Sequence, residues 1–84
     1  MNKFMLNILL QGIDQDTRIT LLPKEQELVK QMEENGTITS SYIKLDMSGI
    51  FMVVMAADEK DVHDKLSILP YYPYMKIDIV PLRA

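Results

Sequence analysis

Four stretches of this chain carry the alternation or the continuous apolar character of β-strands. Lys3–Leu10 and Ile50–Ala56 are apolar at nearly every position, which predicts strands covered on both faces. Thr37–Leu45 is rich in threonine, isoleucine and tyrosine, and it ends at the turn residues Asp46–Gly49. Ile77–Leu82 alternates and predicts the last strand. We expect the two apolar strands at the centre of a sheet and the other two at its edges.

Two segments between these strands have helical spacing. Proline is favoured in the first turn of a helix, so Pro23 predicts that the first helix begins there, after a polar loop at residues 14–18. Asn35 and Gly36 predict its end, and Asp58 predicts the N-cap of the second helix. The residues expected to face the sheet are Leu21, Leu28, Val29 and Met32 in the first helix and Val62, Leu66 and Leu69 in the second.

The order strand, helix, strand, strand, helix, strand is typical of the ferredoxin-like fold. This α+β architecture has a four-stranded antiparallel sheet with both helices on one face, and we expect a single domain over residues 1–84. Strands one and three are central in it, and Pro81 suits an edge strand. Because the central strands do not alternate, we expect a second copy's sheet to cover the free face in a homodimer, the dimeric α/β barrel.

Composition narrows the classes of function. The formal net charge is -3 and the nine basic residues are scattered, which disfavours a nucleic-acid surface. The chain has no cysteine, so it offers no disulfide or thiolate chemistry. Its longest apolar run is far short of the roughly 20 residues of a membrane helix, and its first residues lack a secretory pattern. We expect a cytoplasmic protein that binds neither nucleic acid nor membrane.

The most specific local sequence is the corner, Leu69–Met75, which reads Leu-Pro-Tyr-Tyr-Pro-Tyr-Met. Proline restricts its own backbone and that of the preceding residue, so the corner separates the second helix from the last strand. The segment from His63 through the corner resembles the muconolactone delta-isomerase family, with its His-Asp-x-Leu, Leu-Pro-x-x-Pro-Tyr-Met and alternating strand. The first helix is also similar to the family pattern, which has Glu-x-Glu-Leu and a terminal glycine; the matching residues are Glu25, Glu27, Leu28 and Gly36.

The resemblance implies a dimeric α/β barrel, often assembled into larger rings, with a pocket between the sheet and the subunit interface. It implies a reaction that moves a double bond in a small lactone acid during aromatic-compound breakdown. The proton is removed and returned without a metal or cofactor. Such chemistry needs a carboxylate or imidazole as proton carrier and a donor that stabilises the enolate.

The second strand differs from the family pattern. Family members carry a basic, tryptophan-containing stretch there, whereas this chain reads Thr39-Ser40-Ser41-Tyr42-Ile43 and keeps only the aromatic residue. Two hypotheses therefore stand. The first is a cofactor-free isomerase acting on a small organic acid or lactone. The alternative is a non-catalytic protein of the same barrel class that binds a small molecule or serves in assembly.

Glu25 is the candidate catalytic residue. It lies in the apolar stripe of the first helix, so its carboxylate can point toward the sheet, where desolvation would raise its pKa and suit it to carry a proton. The alternative is that Glu25 lies in the first turn and favours the helix dipole. The candidate substrate-binding residues are Tyr42, Tyr71 and Tyr74, whose phenols can donate hydrogen bonds. Their alternative role is packing at the dimer contact.

Four further residues bear on the function. His63, the single histidine, can serve acid-base chemistry or pair with Glu59 one turn earlier. Asn7 lies within an apolar strand and needs a hydrogen-bond partner, either a polar neighbour or a ligand. Lys44 and Lys76 are interpreted as edge-strand lysines that prevent aggregation. One histidine and scattered carboxylates give no arguable metal site.

Overall fold

A computed structural model of the protein describes residues 1–83. Its strands are β1 (Asn2–Leu10), β2 (Ile38–Ile43), β3 (Gly49–Ala56) and β4 (Met75–Leu82). Its helices are α1 (Gln15–Glu34) and α2 (Glu59–Leu66), and a short 3-10 helix at Tyr72–Tyr74 lies within the corner. The order of the elements confirms the predicted ferredoxin-like arrangement.

The four strands form one antiparallel sheet in the order β2-β3-β1-β4. The two apolar strands are therefore central, as predicted, and the two more polar strands lie at the edges. Pro81 lies on the edge strand β4, opposite Phe4 of β1. An edge position suits proline because its nitrogen cannot donate to a ladder.

The two faces of the sheet differ in burial. One face, the core face, packs against the helices and buries residues such as Leu6, Ile8 and Val54 completely. The other face, which we call the open face, consists of every second residue from 3 to 9 in β1, from 51 to 55 in β3 and from 76 to 80 in β4, together with Tyr42 of β2. Its central residues are half-buried, and Phe51 is 40 % exposed. Within one chain, the central strands are thus covered on one face only, not on both.

The predicted start of the first helix is wrong. α1 begins at Gln15, and the Asp14 side chain caps it by accepting a hydrogen bond from the Thr17 backbone N–H at 2.7 Å. Pro23 lies in the helix interior, and the polar segment taken for a loop forms the first turn. The physical reason is that a capping aspartate satisfies a free N–H group and starts the helix earlier than the proline does. The predicted end is confirmed, since Asn35 is the C-cap.

The second helix starts where the sequence predicts. Asp58 accepts a hydrogen bond from the Asp61 N–H at 2.8 Å, and the Asp61 carboxylate accepts one from the Ala57 N–H at 2.8 Å. Val62 and Leu66 are fully buried. Leu69 is buried as well, but it lies beyond the end of α2 and belongs to the corner.

Candidate functional site

Glu25 is the buried charged side chain of residues 1–83, with 7 % of its surface exposed. It lies in the middle of α1, so the interpretation that places it in the first turn is wrong. Its Oε1 accepts a hydrogen bond from the Tyr71 backbone N–H at 2.9 Å. The carboxylate thus joins α1 to the corner on the helix side of the sheet.

Burial controls the proton affinity of Glu25. Desolvation raises the pKa of its carboxyl group above the ordinary value, and the hydrogen bond from the Tyr71 N–H opposes that effect without cancelling it. The second carboxylate oxygen, Oε2, has no hydrogen-bond partner among residues 1–83 and is not fully buried. It is therefore the oxygen at which a proton can be taken up.

The backbone N–H and the side-chain hydroxyl of Tyr71 both form hydrogen bonds within the chain. Its hydroxyl donates a hydrogen bond to the Arg18 backbone oxygen at 2.6 Å, and its backbone N–H is bound by Glu25. Burial raises the pKa of its phenol, and the nearby Glu25 charge adds to the rise. The Tyr71 phenol is thus neutral and already donates its hydrogen bond within the chain.

The other two candidate tyrosines lie in different places. Tyr74 is half-buried in the 3-10 helix of the corner, and its carbonyl accepts a hydrogen bond from the Gln11 N–H at 2.8 Å. Tyr42 pairs with Phe51 on the open face and is 67 % exposed. In one chain the sheet therefore separates Tyr42 from Glu25, whereas the corner brings Tyr71 next to Glu25.

His63 has a partner that the sequence did not reveal. Its Nδ1 lies 2.8 Å from the Tyr72 hydroxyl, and the two rings meet edge to face at 77°. No ion pair joins it to Glu59 in the described part of the chain, so that interpretation is corrected. The eight residues between His63 and Tyr72 include the end of α2 and a proline, so no regular helical or strand spacing predicts this contact.

Asn7 and Lys44 lie toward the open face. The Asn7 Oδ1 is buried, and it has no hydrogen-bond partner among residues 1–83. The Lys44 Nζ lies 5.1 Å from the centroid of the Phe51 ring. Lys44 and Phe51 also line a surface depression together with Leu45 and Asp46.

Residues 1–83 contain no group of three or more histidine, cysteine or carboxylate side chains placed to hold a metal ion. None of their helices is both long and apolar enough to cross a membrane. A second depression lies between α1 and the end of α2, and neither depression is lined by Glu25.

Comparison with known proteins gives matches of two kinds. The family model described as muconolactone delta-isomerase matches residues 4–84. A crystal structure of muconolactone isomerase is similar with a TM-score of 0.81 and 22% sequence identity, over 98% of this chain and 88% of that chain. At that identity the structural likeness concerns the fold, and it confirms the α+β architecture. No curated protein sequence matches the chain.

Proposed function

This chain belongs to the muconolactone delta-isomerase family, whose model spans residues 4–84, and we propose that it is a cofactor-free isomerase. Its substrate would be a small organic acid or lactone in which a double bond moves by proton transfer. The observation that carries the proposal is the burial of Glu25, a carboxylate with a raised pKa at the position that matches the family's helix motif.

Glu25 is proposed to take a proton from one carbon of the substrate and return it to another. A carboxylate is an effective proton carrier when its pKa is raised toward the working pH. The Tyr71 N–H would hold Oε1 in place, which leaves Oε2 for the substrate proton. Because the same group acts first as base and then as acid, the reaction neither consumes nor releases a proton overall.

The tyrosines are proposed to orient the substrate, each in a way that its position permits. Tyr74 lies in the corner that Glu25 holds, and its phenol is the candidate donor to the substrate carbonyl. Tyr71 can donate to a substrate only by giving up its bond to the Arg18 oxygen. Tyr42 can contact a ligand only from the open face.

A second candidate function is non-catalytic binding, and one observation favours it. Glu25 lines neither of the two surface depressions described, and its Oε1 already holds the corner. A glutamate placed in this way can be structural. The second strand also lacks the basic residues that would hold a substrate carboxylate.

The two proposed functions can be distinguished by measuring the turnover of a panel of unsaturated lactone acids by wild type and by Glu25→Gln. Glutamine keeps an oxygen that can accept the Tyr71 N–H, so the corner should stay in place, but it cannot carry a proton. We expect the variant to lose roughly 100-fold to 10,000-fold in kcat, as is usual when a general base is removed. The matched control is Glu27→Gln, which should retain full activity. Glu27 is exposed, lies about half a turn from Glu25, and forms its one ion pair of residues 1–83 with Lys24.

Equal rates for wild type and Glu25→Gln would remove Glu25 from the mechanism. Absence of turnover by the wild type across the panel would favour the non-catalytic function.

A further inference from the structure

Tyr71 is attached to α1 at two points that lie on one face of the helix. Its backbone N–H donates to the Glu25 Oε1 at 2.9 Å, and its hydroxyl donates to the Arg18 backbone oxygen at 2.6 Å. The spacing from Arg18 to Glu25 is close to two full turns of an α-helix, so both points face the same direction. The tyrosine therefore lies along the helix, with its backbone near one point and its hydroxyl near the other.

The two points of attachment lie on opposite sides of Pro23. Proline has no N–H to donate to the carbonyl of Ile19, so the turn that joins the start of α1 to Glu25 lacks one backbone hydrogen bond. Tyr71 bonds to Arg18 before the proline and to Glu25 after it. It therefore connects the two parts of the helix where the helix's own hydrogen bonds are interrupted.

The corner fixes the backbone of Tyr71 as well. Its carbonyl accepts a hydrogen bond from the Tyr74 N–H at 2.9 Å, and the Tyr72 N–H donates to the Leu69 oxygen at 2.9 Å. Leu69 and Tyr71 are both buried. The Tyr71 N–H can therefore change its direction toward Glu25 only if the corner moves relative to α1, and the bond from the phenol to α1 opposes that movement.

We propose that Tyr71 is a positioning residue for Glu25, and that its phenol acts through the bond to the Arg18 oxygen rather than by contact with a substrate. The bond holds the corner against α1, so the Tyr71 N–H stays on Oε1 and Oε2 keeps one orientation. Because Glu25 is the proposed proton carrier, this role rests on the proposed function. It differs from the substrate-binding role that the sequence predicts for Tyr71.

The orientation of Glu25 matters because proton transfer depends on the distance and direction between the carboxylate and the substrate carbon. A displacement of about 1 Å can cost roughly 100-fold in rate. The one hydrogen bond that the Glu25 side chain forms among residues 1–83 comes from the Tyr71 N–H. The carboxylate is therefore oriented only as firmly as the backbone of Tyr71 is held.

Tyr71→Phe tests the proposal, because it removes the hydroxyl and keeps the buried ring and the backbone N–H. We expect NMR to show roughly threefold to tenfold faster hydrogen exchange at the amide of residue 71, the effect of weakening one hydrogen bond. We also expect the pKa of Glu25 to rise, because the N–H that favours its carboxylate is held less firmly. The charged groups that act on the Tyr71 phenol are Glu25 and Arg18, and the phenol itself is neutral, so its removal takes no charge away from Glu25.

The matched control is Tyr72→Phe, the same change at the next residue of the corner. The Tyr72 hydroxyl contacts the His63 Nδ1 of α2 rather than α1. This variant should leave both the exchange at residue 71 and the pKa of Glu25 as they are in wild type. In wild type itself, the Tyr71 amide proton should titrate with the same midpoint as the Glu25 carboxyl group, which tests their contact without any variant.

Turnover separates positioning from contact with the substrate. A positioning role predicts that Tyr71→Phe lowers kcat by about tenfold to 100-fold and changes KM by less than about twofold. Direct contact with the substrate predicts a higher KM, together with unchanged exchange at residue 71 and an unchanged pKa of Glu25 in the free protein.

The proposal is overturned by unchanged exchange at residue 71 in Tyr71→Phe, or by a Glu25 pKa that stays the same or falls. Equal effects of Tyr72→Phe and Tyr71→Phe, or different titration midpoints for the Tyr71 amide and Glu25 in wild type, would also overturn it. None of these measurements needs a substrate. If Glu25→Gln kept full turnover while Tyr71→Phe showed both expected changes, the proton-transfer mechanism would fail and the orientation of Glu25 by Tyr71 would stand.

Discussion

The raised pKa of Glu25 makes the stability of the protein depend on pH. Its pKa is higher in the folded state than in the unfolded state because burial disfavours the carboxylate. Its contribution to stability is therefore fully present below the unfolded pKa and is lost as pH rises through the folded pKa. We expect the free energy of unfolding of wild type to fall, relative to Glu25→Gln, as pH rises from about 4 toward neutrality.

Urea unfolding of the two proteins at matched pH values measures this difference. Glu27→Gln serves as the reference, because Glu27 is exposed and its substitution should leave the pH profile of wild type unchanged. A wild-type stability that rises with pH relative to Glu25→Gln would contradict the expected sign.

At the scale of residues, the sequence predicts which side chains are unusual but not what they touch. The apolar stripe of the first helix correctly predicts that Glu25 can turn inward. Its partner, the N–H of Tyr71, lies 46 residues later in the chain. Which backbone N–H remains free there depends on how the corner folds, and a local sequence pattern does not contain that information. The contact between His63 and Tyr72 could not be predicted for the same reason.

Among the elements, α1 has a proline where a helix ordinarily avoids one. Pro23 lies in the interior of the helix, where it cannot donate to the carbonyl of residue 19 and its ring crowds that carbonyl. We expect Pro23→Ala to raise the free energy of unfolding by about 1–3 kcal/mol. Urea unfolding measures it, with Lys24→Ala as the control for a neighbouring position on the surface. A loss of stability in Pro23→Ala would contradict the expectation.

The elements themselves were largely predictable. Continuous apolar runs gave the central strands, and Asp58 and Asn35 marked helix ends. The start of α1 was missed because two signals competed, a capping aspartate at position 14 and a proline at position 23. Both are favoured near a helix start, and the tertiary packing that decides between them is not contained in a local pattern.

At the scale of the whole molecule, the open face is a broad surface that no other element of residues 1–83 covers. The open face carries half-buried Val53 and Met5, and Val80 is 54% exposed on it. We propose that a second copy covers this face, because a central apolar surface of this kind is typical of an interface. We expect sedimentation velocity to show a dimer of wild type and a monomer of Val53→Lys. Ile19→Lys, at an apolar residue of α1 that is 59% exposed, should remain dimeric.

A compact monomer of wild type at all concentrations would contradict this proposal. So would a dimer that Val53→Lys leaves intact, because the contact would then lie elsewhere on the molecule.

The attachment of the corner has a mechanical consequence. Tyr71 is fixed to α1 at Arg18 and at Glu25, about two helical turns apart, and the corner leads directly into β4. A hydrogen bond to a charged oxygen is about twice as strong as one to a neutral oxygen. We therefore expect protonation of Glu25 to weaken the attachment of the corner to α1, and deprotonation to strengthen it. Because β4 begins directly after the corner, we expect the position of this edge strand to depend on the charge of Glu25.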